Sequence, residues 1–308
     1  MKEKLILIIL LSIFSCKNHN TPVPENENFT IGIITDCQYC DCDVKWNRYY
    51  KKSPQRLKEA INELNKYDLA YTIHLGDFID KDFNSFDSLT PIWNQLKSKS
   101  YHVLGNHDFE VTDSLKHLVP AKMGLTNRYY SFNTHNWKFI VLDGNDLSLY
   151  GSLDSLKIKE AKNMFAQKQK DSVPYAQTYN GGLSKKQMTW IKQELDLAKK
   201  SNLNIGFFNH FPANPIDHHN FWNTKEFLEL IKAYSNVKLF MNGHNHNGAY
   251  IENDGVHYIT FKGMVDTKNE SSFARVTFTK DSILIKGYGR EENRRLNINS
   301  FSRVKIYN

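Results

Sequence analysis

Five short polar clusters carry the residues of this 308-residue chain that could do chemistry, and each follows an apolar run typical of a β-strand. The clusters are Asp36-Cys37-Gln38, residues 76–80 (GDFID), residues 105–108 (GNHD), Asn209-His210 and residues 243–246 (GHNH). Ligands of open α/β folds gather at the carboxyl ends of strands. Carboxylate, amide and imidazole groups together suit Mn, Fe or Zn better than Ca. A lone Gly-Asp is usually a turn, but five such clusters in one order predict a metal centre.

The elements around these clusters predict one α/β domain, in which strands and helices alternate early and strands dominate the last third. Ser53 and Ser184 are expected to cap two of the helices. The predicted strands are residues 29–35, 69–75, 101–104, 129–132, 138–143, 203–209, 238–242, 248–251, 256–261, 274–279 and 282–286, and the predicted helices are residues 54–67, 89–97, 153–168, 184–200 and 224–234. Residues 144–182 are the least regular stretch and are expected to be an active-site insertion.

Composition excludes several classes of protein. Hydrophobic residues make up 40% of the chain, too many for a disordered protein. The mean hydropathy of −0.56 excludes a protein with many membrane spans. The formal charge of +7 is mild for this length, and Lys and Arg form no run of five, so no nucleic-acid partner is expected.

The first sixteen residues (MKEKLILIILLSIFSC) have two lysines followed by an apolar run that is too short for a transmembrane helix. This pattern is typical of a signal peptide. Cys16 closes a segment that resembles a bacterial lipoprotein cleavage box, and a plain signal peptide is the alternative. We therefore expect a leader at residues 1–15, a polar tether at residues 16–28 and a catalytic domain at residues 29–308. The protein is expected to be exported to the bacterial periplasm or cell surface, with a lipid anchor on Cys16 as its membrane contact.

Three of the four cysteines, Cys37, Cys40 and Cys42, lie close to Asp36. A structural zinc site of four cysteines is excluded because no second cysteine pair is present. A local disulfide through Cys40 and free thiols remain as the two interpretations, and we favour free thiols.

The order D-x-[HQ], G-D-x-x-D, G-N-H-[DE], H, G-H-x-H resembles the calcineurin-like metallophosphoesterases. The resemblance implies a four-layer α/β/β/α sandwich with mixed sheets and two metal ions at the strand ends. Matched motif by motif, it implies a first metal site of Asp36, Gln38, Asp77 and His246, a second of Asp77, Asn106, His210 and His244, and a general acid, His107, steadied by Asp108. In this family a water between the two ions attacks phosphorus.

Gln38 stands where most of that superfamily has histidine. The variant resembles a narrower group, the manganese-dependent ADP-ribose/CDP-alcohol diphosphatases. Further matches are Arg48-Tyr49-Tyr50, residues 142–148 (LDGNDLS), residues 180–184 (NGGLS) with Gln187 and Trp190, residues 243–250 (GHNHNGAY) and residues 286–290 (KGYGR). The resemblance implies Mn²⁺, with Fe or Zn as alternatives, and cleavage of ADP-ribose, CDP-choline or CDP-glycerol to a nucleoside monophosphate. A harder amide oxygen at Gln38 is expected to favour Mn²⁺.

Substrate contacts are predicted from neighbouring residues. An aromatic residue near the metal motifs is expected to stack on the base, and the candidates are Tyr49, Tyr50, Phe211, Phe221 and Trp222. Asn180, Gly181 and Gly182 precede a helix, so their N–H groups could bind a phosphate or ribose. The alternative is that this loop merely caps the helix.

Two other functions compete with the diphosphatase. One is a phosphomonoesterase or cyclic-nucleotide phosphodiesterase on the same metal site. The other is a binding protein that keeps the fold without turnover, which would be expected to have lost ligands. All seven ligand positions and His107 are filled. We therefore expect an enzyme whose partner is a small anionic nucleotide diphosphate, and we make no prediction of its oligomeric state.

Overall fold

The computed structural model describes residues 28–299. The predicted leader, nearly all of the tether and Cys16 lie outside these residues. Within residues 28–299, no helix is both long enough and apolar enough to span a membrane.

Twelve strands of the described residues form two six-stranded mixed sheets. The strands are β1 (Phe29–Ile34), β2 (Tyr71–His74), β3 (Ser100–His102), β4 (Tyr130–Thr134), β5 (Trp137–Val141), β6 (Asn204–Phe208), β7 (Val237–Asn242), β8 (Ala249–Asn253), β9 (Val256–Thr260), β10 (Ser272–Phe278), β11 (Ser282–Gly289) and β12 (Arg294–Asn297). The first sheet has the order β12-β11-β10-β1-β2-β3, and the second has the order β4-β5-β6-β7-β9-β8. In the first sheet, β1, β2 and β3 are parallel at one end, and β10, β11 and β12 continue it with antiparallel pairing. The second sheet has a parallel centre, and its edge strands β4 and β8 are antiparallel.

Six α-helices of the described residues cover the sheets. They are α1 (Ser53–Leu64), α2 (Ser85–Trp93), α3 (Val119–Lys122), α4 (Ser155–Lys170), α5 (Lys185–Lys200) and α6 (Thr224–Lys232). Ser184 caps α5 as predicted, because its hydroxyl accepts the N–H of Gln187 at 3.1 Å. The predicted cap at Ser53 is wrong. Ser53 is the first residue of its helix, and its hydroxyl donates to the carbonyl of Cys37.

The helices and sheets stack in four layers. Residues of both sheets, such as Ile33 and Phe208, share the central core. Alternate residues on the outer face of the first sheet pack against α1 and α2, and those of the second sheet pack against α5 and α6. The predicted α/β/β/α sandwich is therefore confirmed.

Two elements differ from the predicted ones, each for a structural reason. The second helix begins at Ser85 and ends at Trp93, earlier than residues 89–97, since the chain turns towards the edge strand β3 after Asn94. Strand β12 was not predicted because it is short and charged (RRLN), and Leu296 is its one apolar residue. It is held by pairing with β11.

The cysteines adopt the arrangement that we did not favour. Cys40 and Cys42 form a disulfide, and Cys37 is a free, buried thiol. The disulfide lies beside Asp80, with the Cys40 sulfur 3.7 Å from its Oδ2. Burial raises the pKa of the Cys37 thiol well above its ordinary value, so this cysteine behaves as a small core residue.

Candidate active site

The predicted metal ligands follow the ends of parallel strands. Strands β1, β2, β6 and β7 end at Ile34, His74, Phe208 and Asn242, each within three residues of a predicted ligand. The carboxyl ends of parallel strands lie at one edge of a sheet, and the two sheets bring their edges together here. This shared edge explains how residues more than 200 positions apart meet.

Four predicted ligands sit on left-handed backbone. The φ angles are 51° at Asp36, 44° at Gln38, 57° at Asp77 and 67° at His244. Non-glycine residues seldom adopt this conformation, and where they do it commonly marks a functional site. The sharp turn after each strand directs the next side chain back over the sheet edge. A Cβ at Gly105 would lie 2.1 Å from the Asp77 carboxylate, so the approach of the two loops requires glycine there.

The first predicted ligand set is brought together. His246 Nε2 lies 3.2 Å from Asp36 Oδ1, and Gln38 Nε2 lies 2.9 Å from Asp77 Oδ2. Asp36, Gln38 and Asp77 are fully buried. One contact thus links Asp36 with His246, and the other links Gln38 with Asp77.

The second predicted set shares Asp77 with the first. His210 Nε2 lies 3.2 Å from Asp77 Oδ2 and 3.1 Å from the Asn106 side-chain oxygen. Asp77, His210 and His244 offer ligand atoms that all lie within 4.8 Å of one another. Asp77 therefore stands between the two sets, where its charge can offset two cations.

The donor set fits two divalent metal ions. Asp36 Oδ1 and Gln38 Oε1 are buried and accept no hydrogen bond within the described part of the chain. His246 Nε2 lies close to Asp36 Oδ1, at 3.2 Å. Buried polar atoms are costly when unpaired, and a cation would satisfy both oxygens. Mixed oxygen and imidazole donors suit Mn, Fe or Zn.

Three further groups orient the predicted histidine ligands, and the sequence analysis assigned this role to none of them. His210 Nδ1 donates to the carbonyl of Leu75 at 2.9 Å, and His246 Nδ1 lies 3.0 Å from Asp266 Oδ1. Such partners fix the ring so that Nε2 faces the metal. No sequence signal marks Asp266, which lies twenty residues after His246.

Asn180 is the third of these groups, although the sequence analysis predicted that it contacts the substrate together with Gly181 and Gly182. All three residues are buried, and the Asn180 side-chain oxygen lies 3.0 Å from His244 Nε2. The Gly182 N–H donates to Leu147 at 2.7 Å, and the Gly181 carbonyl accepts from Trp222 at 2.7 Å. The loop therefore holds His244 and the adjoining chain in place and leaves the Gly182 N–H unavailable to a substrate.

Charges within the cluster set the pKa values of its histidines. Burial alone lowers the pKa of His210, but the carboxylate of Asp77 outweighs burial and raises it to about 9. Burial is likewise outweighed at His246, where Asp36 and Asp266 raise the pKa to about 9. Without metal, both imidazoles are therefore protonated at neutral pH, and cations would replace these protons.

The ring of His107 contacts other carboxylates than the predicted Asp108. Its Nδ1 lies 3.1 Å from Asp80 Oδ1 and 3.4 Å from Glu110 Oε1. Burial lowers the His107 pKa, but the charges of Asp77, Asp80 and Glu110 outweigh it, so the pKa is raised. The protonated form required of a general acid is therefore favoured.

The predicted pairing of Asp108 with His107 is wrong. The buried Asp108 carboxylate accepts the N–H groups of Asp77, Phe78, Ile79 and Gly105 at 2.8–3.2 Å. Asp108 thus holds two loops of predicted metal ligands together. The role predicted for Asp108, to orient His107, falls to Asp80. Asp80 belongs to the G-D-x-x-D motif, so a signal for it was present in the sequence.

A cavity of about 590 Å³ opens over these groups. Its lining residues are Gln38, Cys42, Asp43, Lys45, Trp46, Arg48, Tyr50, Asp77, Asp80, Lys81, Asn106, His107, Glu110, Tyr179, His219, His244 and His246. The predicted stacking residue Tyr49 does not belong to this lining and has Lys52 over its ring at 5.8 Å. Of the alternatives, Tyr50 lines the cavity, whereas Phe211, Phe221 and Trp222 are core residues.

Comparison with known proteins identifies the family. The sequence model of the calcineurin-like phosphoesterases matches residues 29–248. The chain belongs to the calcineurin-like phosphoesterase family. It is therefore a metal-dependent phosphohydrolase, as the order of its motifs predicted, with two divalent ions as its expected cofactors.

Individual relatives are similar over most of the chain. Proteins named manganese-dependent ADP-ribose/CDP-alcohol diphosphatase include one from Xenopus tropicalis, 29% identical over 88% of this chain and 95% of the relative. Another from Homo sapiens is 26% identical over 87% of this chain and 92% of the relative. A crystal structure of a dimetal phosphatase from Danio rerio superposes with a TM-score of 0.78 at 25% identity, over 88% of this chain and 99% of that one.

Proposed function

We propose that this phosphoesterase hydrolyses the phosphoanhydride bond of ADP-ribose or CDP-alcohols, with Mn²⁺ as its metal. The observation that carries the proposal is the cavity over the metal ligands, into which His107 faces. Its volume suits a nucleotide-sized molecule. Lys45, Arg48 and Lys81 line it beside four carboxylates (Asp43, Asp77, Asp80 and Glu110), so these three cations, together with bound metal ions, would attract a negatively charged substrate. The names of the relatives support the same substrate class.

The metal ligands, His107 and Asp108 each have a separate role in the proposed reaction. Bound by the seven ligands, two divalent ions would supply Lewis acidity and an activated water. His107 donates the proton of Nε2 to the leaving oxygen, since its Nδ1 is held by Asp80. Asp108 keeps the loops of Asp77 and Gly105 in register, which places His107 beside the metal ligands.

A substrate panel tests the proposal. Purified protein loaded with Mn²⁺ is expected to release AMP from ADP-ribose and CMP from CDP-choline or CDP-glycerol, measured by chromatography. Cyclic AMP and p-nitrophenyl phosphate serve as comparison substrates. Protein that takes up Mn²⁺ and cleaves only the comparison substrates would refute the diphosphatase and support a phosphomonoesterase or phosphodiesterase. His107→Ala is expected to keep Mn²⁺ and lose most turnover.

We also propose that the protein is exported and lipid-anchored at Cys16, which lies outside the described residues. The support is the basic and apolar pattern of residues 1–16. Expression in a bacterium with a radiolabelled fatty acid is expected to label the full chain and not the Cys16→Ala variant. Equal labelling of both would refute the anchor.

A further inference from the structure

Arg48 lies beside the imidazole of the general acid. Its Nη1 is 3.4 Å from His107 Nε2, and both residues line the cavity. The other ring nitrogen of His107 faces Asp80, so Nε2 is the nitrogen on the substrate side. A permanent positive charge therefore stands next to the atom that would protonate the leaving group.

The backbone around Arg48 is held from two directions. The Arg48 N–H donates to the Lys45 carbonyl at 3.0 Å, and the Tyr49 N–H donates to the Val265 carbonyl at 2.9 Å. Arg48 also pairs with Asp266 in a short β-bridge. The side chain is half-buried, and this backbone anchoring holds the start of the side chain near His107.

The position of Arg48 distinguishes two kinds of leaving group. In a phosphoanhydride, the leaving oxygen belongs to a second phosphate that carries further charged oxygens. In a phosphomonoester, the leaving oxygen is attached to carbon. The planar guanidinium matches two phosphate oxygens at once, and such charge-assisted pairs are strong.

We propose that Arg48 binds the leaving phosphate and thereby selects phosphoanhydrides over monoesters, an inference that rests on the proposed function. The oxygen of water bonds to the attacked phosphorus, and the bond from that phosphorus to the bridging oxygen breaks. The leaving phosphate takes the electron pair and the Nε2 proton of His107. One proton of the water stays on the attacked phosphate, and the other passes to solvent, from which His107 regains its proton. Arg48 keeps its protons and offsets the charge on the departing phosphate.

Substitution of Arg48 tests the selection. With Mn²⁺, Arg48→Gln is expected to lower kcat/KM about 100-fold for ADP-ribose and CDP-choline but no more than about threefold for p-nitrophenyl phosphate, because one positioned donor is lost. The matched control is Lys58→Gln, which removes an exposed cation of α1 that does not line the cavity. The control is expected to match wild type on all substrates. Equal losses of Arg48→Gln on both substrate classes would overturn the inference.

Binding measurements separate recognition of the diphosphate by Arg48 from a structural effect of the substitution. The dissociation constant of α,β-methylene-ADP, a diphosphate that is not hydrolysed, is expected to rise at least about tenfold in Arg48→Gln, while that of inorganic phosphate and the Mn²⁺ content stay unchanged. Loss of Mn²⁺ would overturn the inference. Wild-type protein that cleaves no diphosphate would refute the proposed function as well, whereas active wild type with an equally active Arg48→Gln variant would refute the inference alone.

Discussion

Asp80 Oδ1 lies 3.1 Å from His107 Nδ1, while the carboxylate of Asp108 is turned into the backbone N–H groups of its neighbouring loops. His107, which we propose as the general acid, is thus oriented by a residue 27 positions earlier in the chain, from the loop after β2. The pairing leaves His107 Nε2 towards the cavity, beside Arg48.

Asp80→Asn is expected to lower kcat about tenfold or more, because the ring loses the charge that favours its protonated, oriented form. The acidic charge that sustains the raised pKa is also removed, so the basic limb of the pH profile is expected to move to lower pH. Steady-state kinetics over pH measures both effects. Asp82→Asn, at an exposed position nearby, is the control, and an unchanged profile in Asp80→Asn would contradict the role.

Asp266→Ala is expected to weaken Mn²⁺ binding about 10- to 100-fold, because His246 loses the carboxylate that fixes its ring. Metal titration of the stripped protein, followed by calorimetry, checks this expectation. Asp87→Ala removes a carboxylate from a surface pair with Lys122 and is the control. An Asp266→Ala variant with wild-type affinity would show that the contact is dispensable.

Asn180→Ala distinguishes positioning from substrate binding. Since Asn180 contacts His244, the variant is expected to lose metal from one of the two sites and to regain activity at high Mn²⁺. Metal analysis together with kcat and KM distinguishes a role in positioning His244 from a role in substrate binding. A raised KM with both metals retained would instead support the original prediction of a substrate contact.

Metal uptake is expected to strengthen as pH rises. His210 and His246 have pKa values raised to about 9 without metal, so below that pH each carries a proton that an incoming cation must displace. Between pH 6 and 8, the logarithm of each binding constant should therefore rise by about one per pH unit. Titrations at several pH values in two buffers measure the proton release. Binding that is independent of pH would contradict the protonated state of these rings.

A buried ion pair just after strand β5 is expected to matter for stability. Arg128 Nε lies 2.6 Å from Asp143 Oδ2, and the Asp143 side chain is fully buried. Arg128→Met leaves this carboxylate without that partner and is expected to cost about 3–5 kcal/mol of unfolding free energy. Lys122→Met breaks an exposed pair with Asp87 and is expected to cost at most about 1 kcal/mol. Urea unfolding compares the two, and equal costs would contradict the expectation.

Much of the fold was predictable because its signals are local. The β-branched runs of the central strands and the helical spacing of α1 and α5 each lie within about fifteen residues. Strand β12 lacked such a signal because pairing with β11, and not its own pattern, makes it a strand. The Cys40–Cys42 disulfide was likewise not favoured from spacing alone.

The sequence by itself determined the residue types of the centre, since ligand chemistry depends on side-chain atoms and the five motifs name them in order. Only the tertiary structure decided which residues support them. Asp80 rather than Asp108 faces His107, Asp266 orients His246, and Asn180 contacts His244. These contacts join loops from different strands, and the sheet edges and backbone turns that bring them within hydrogen-bond distance leave no mark in the spacing of the residues along the chain.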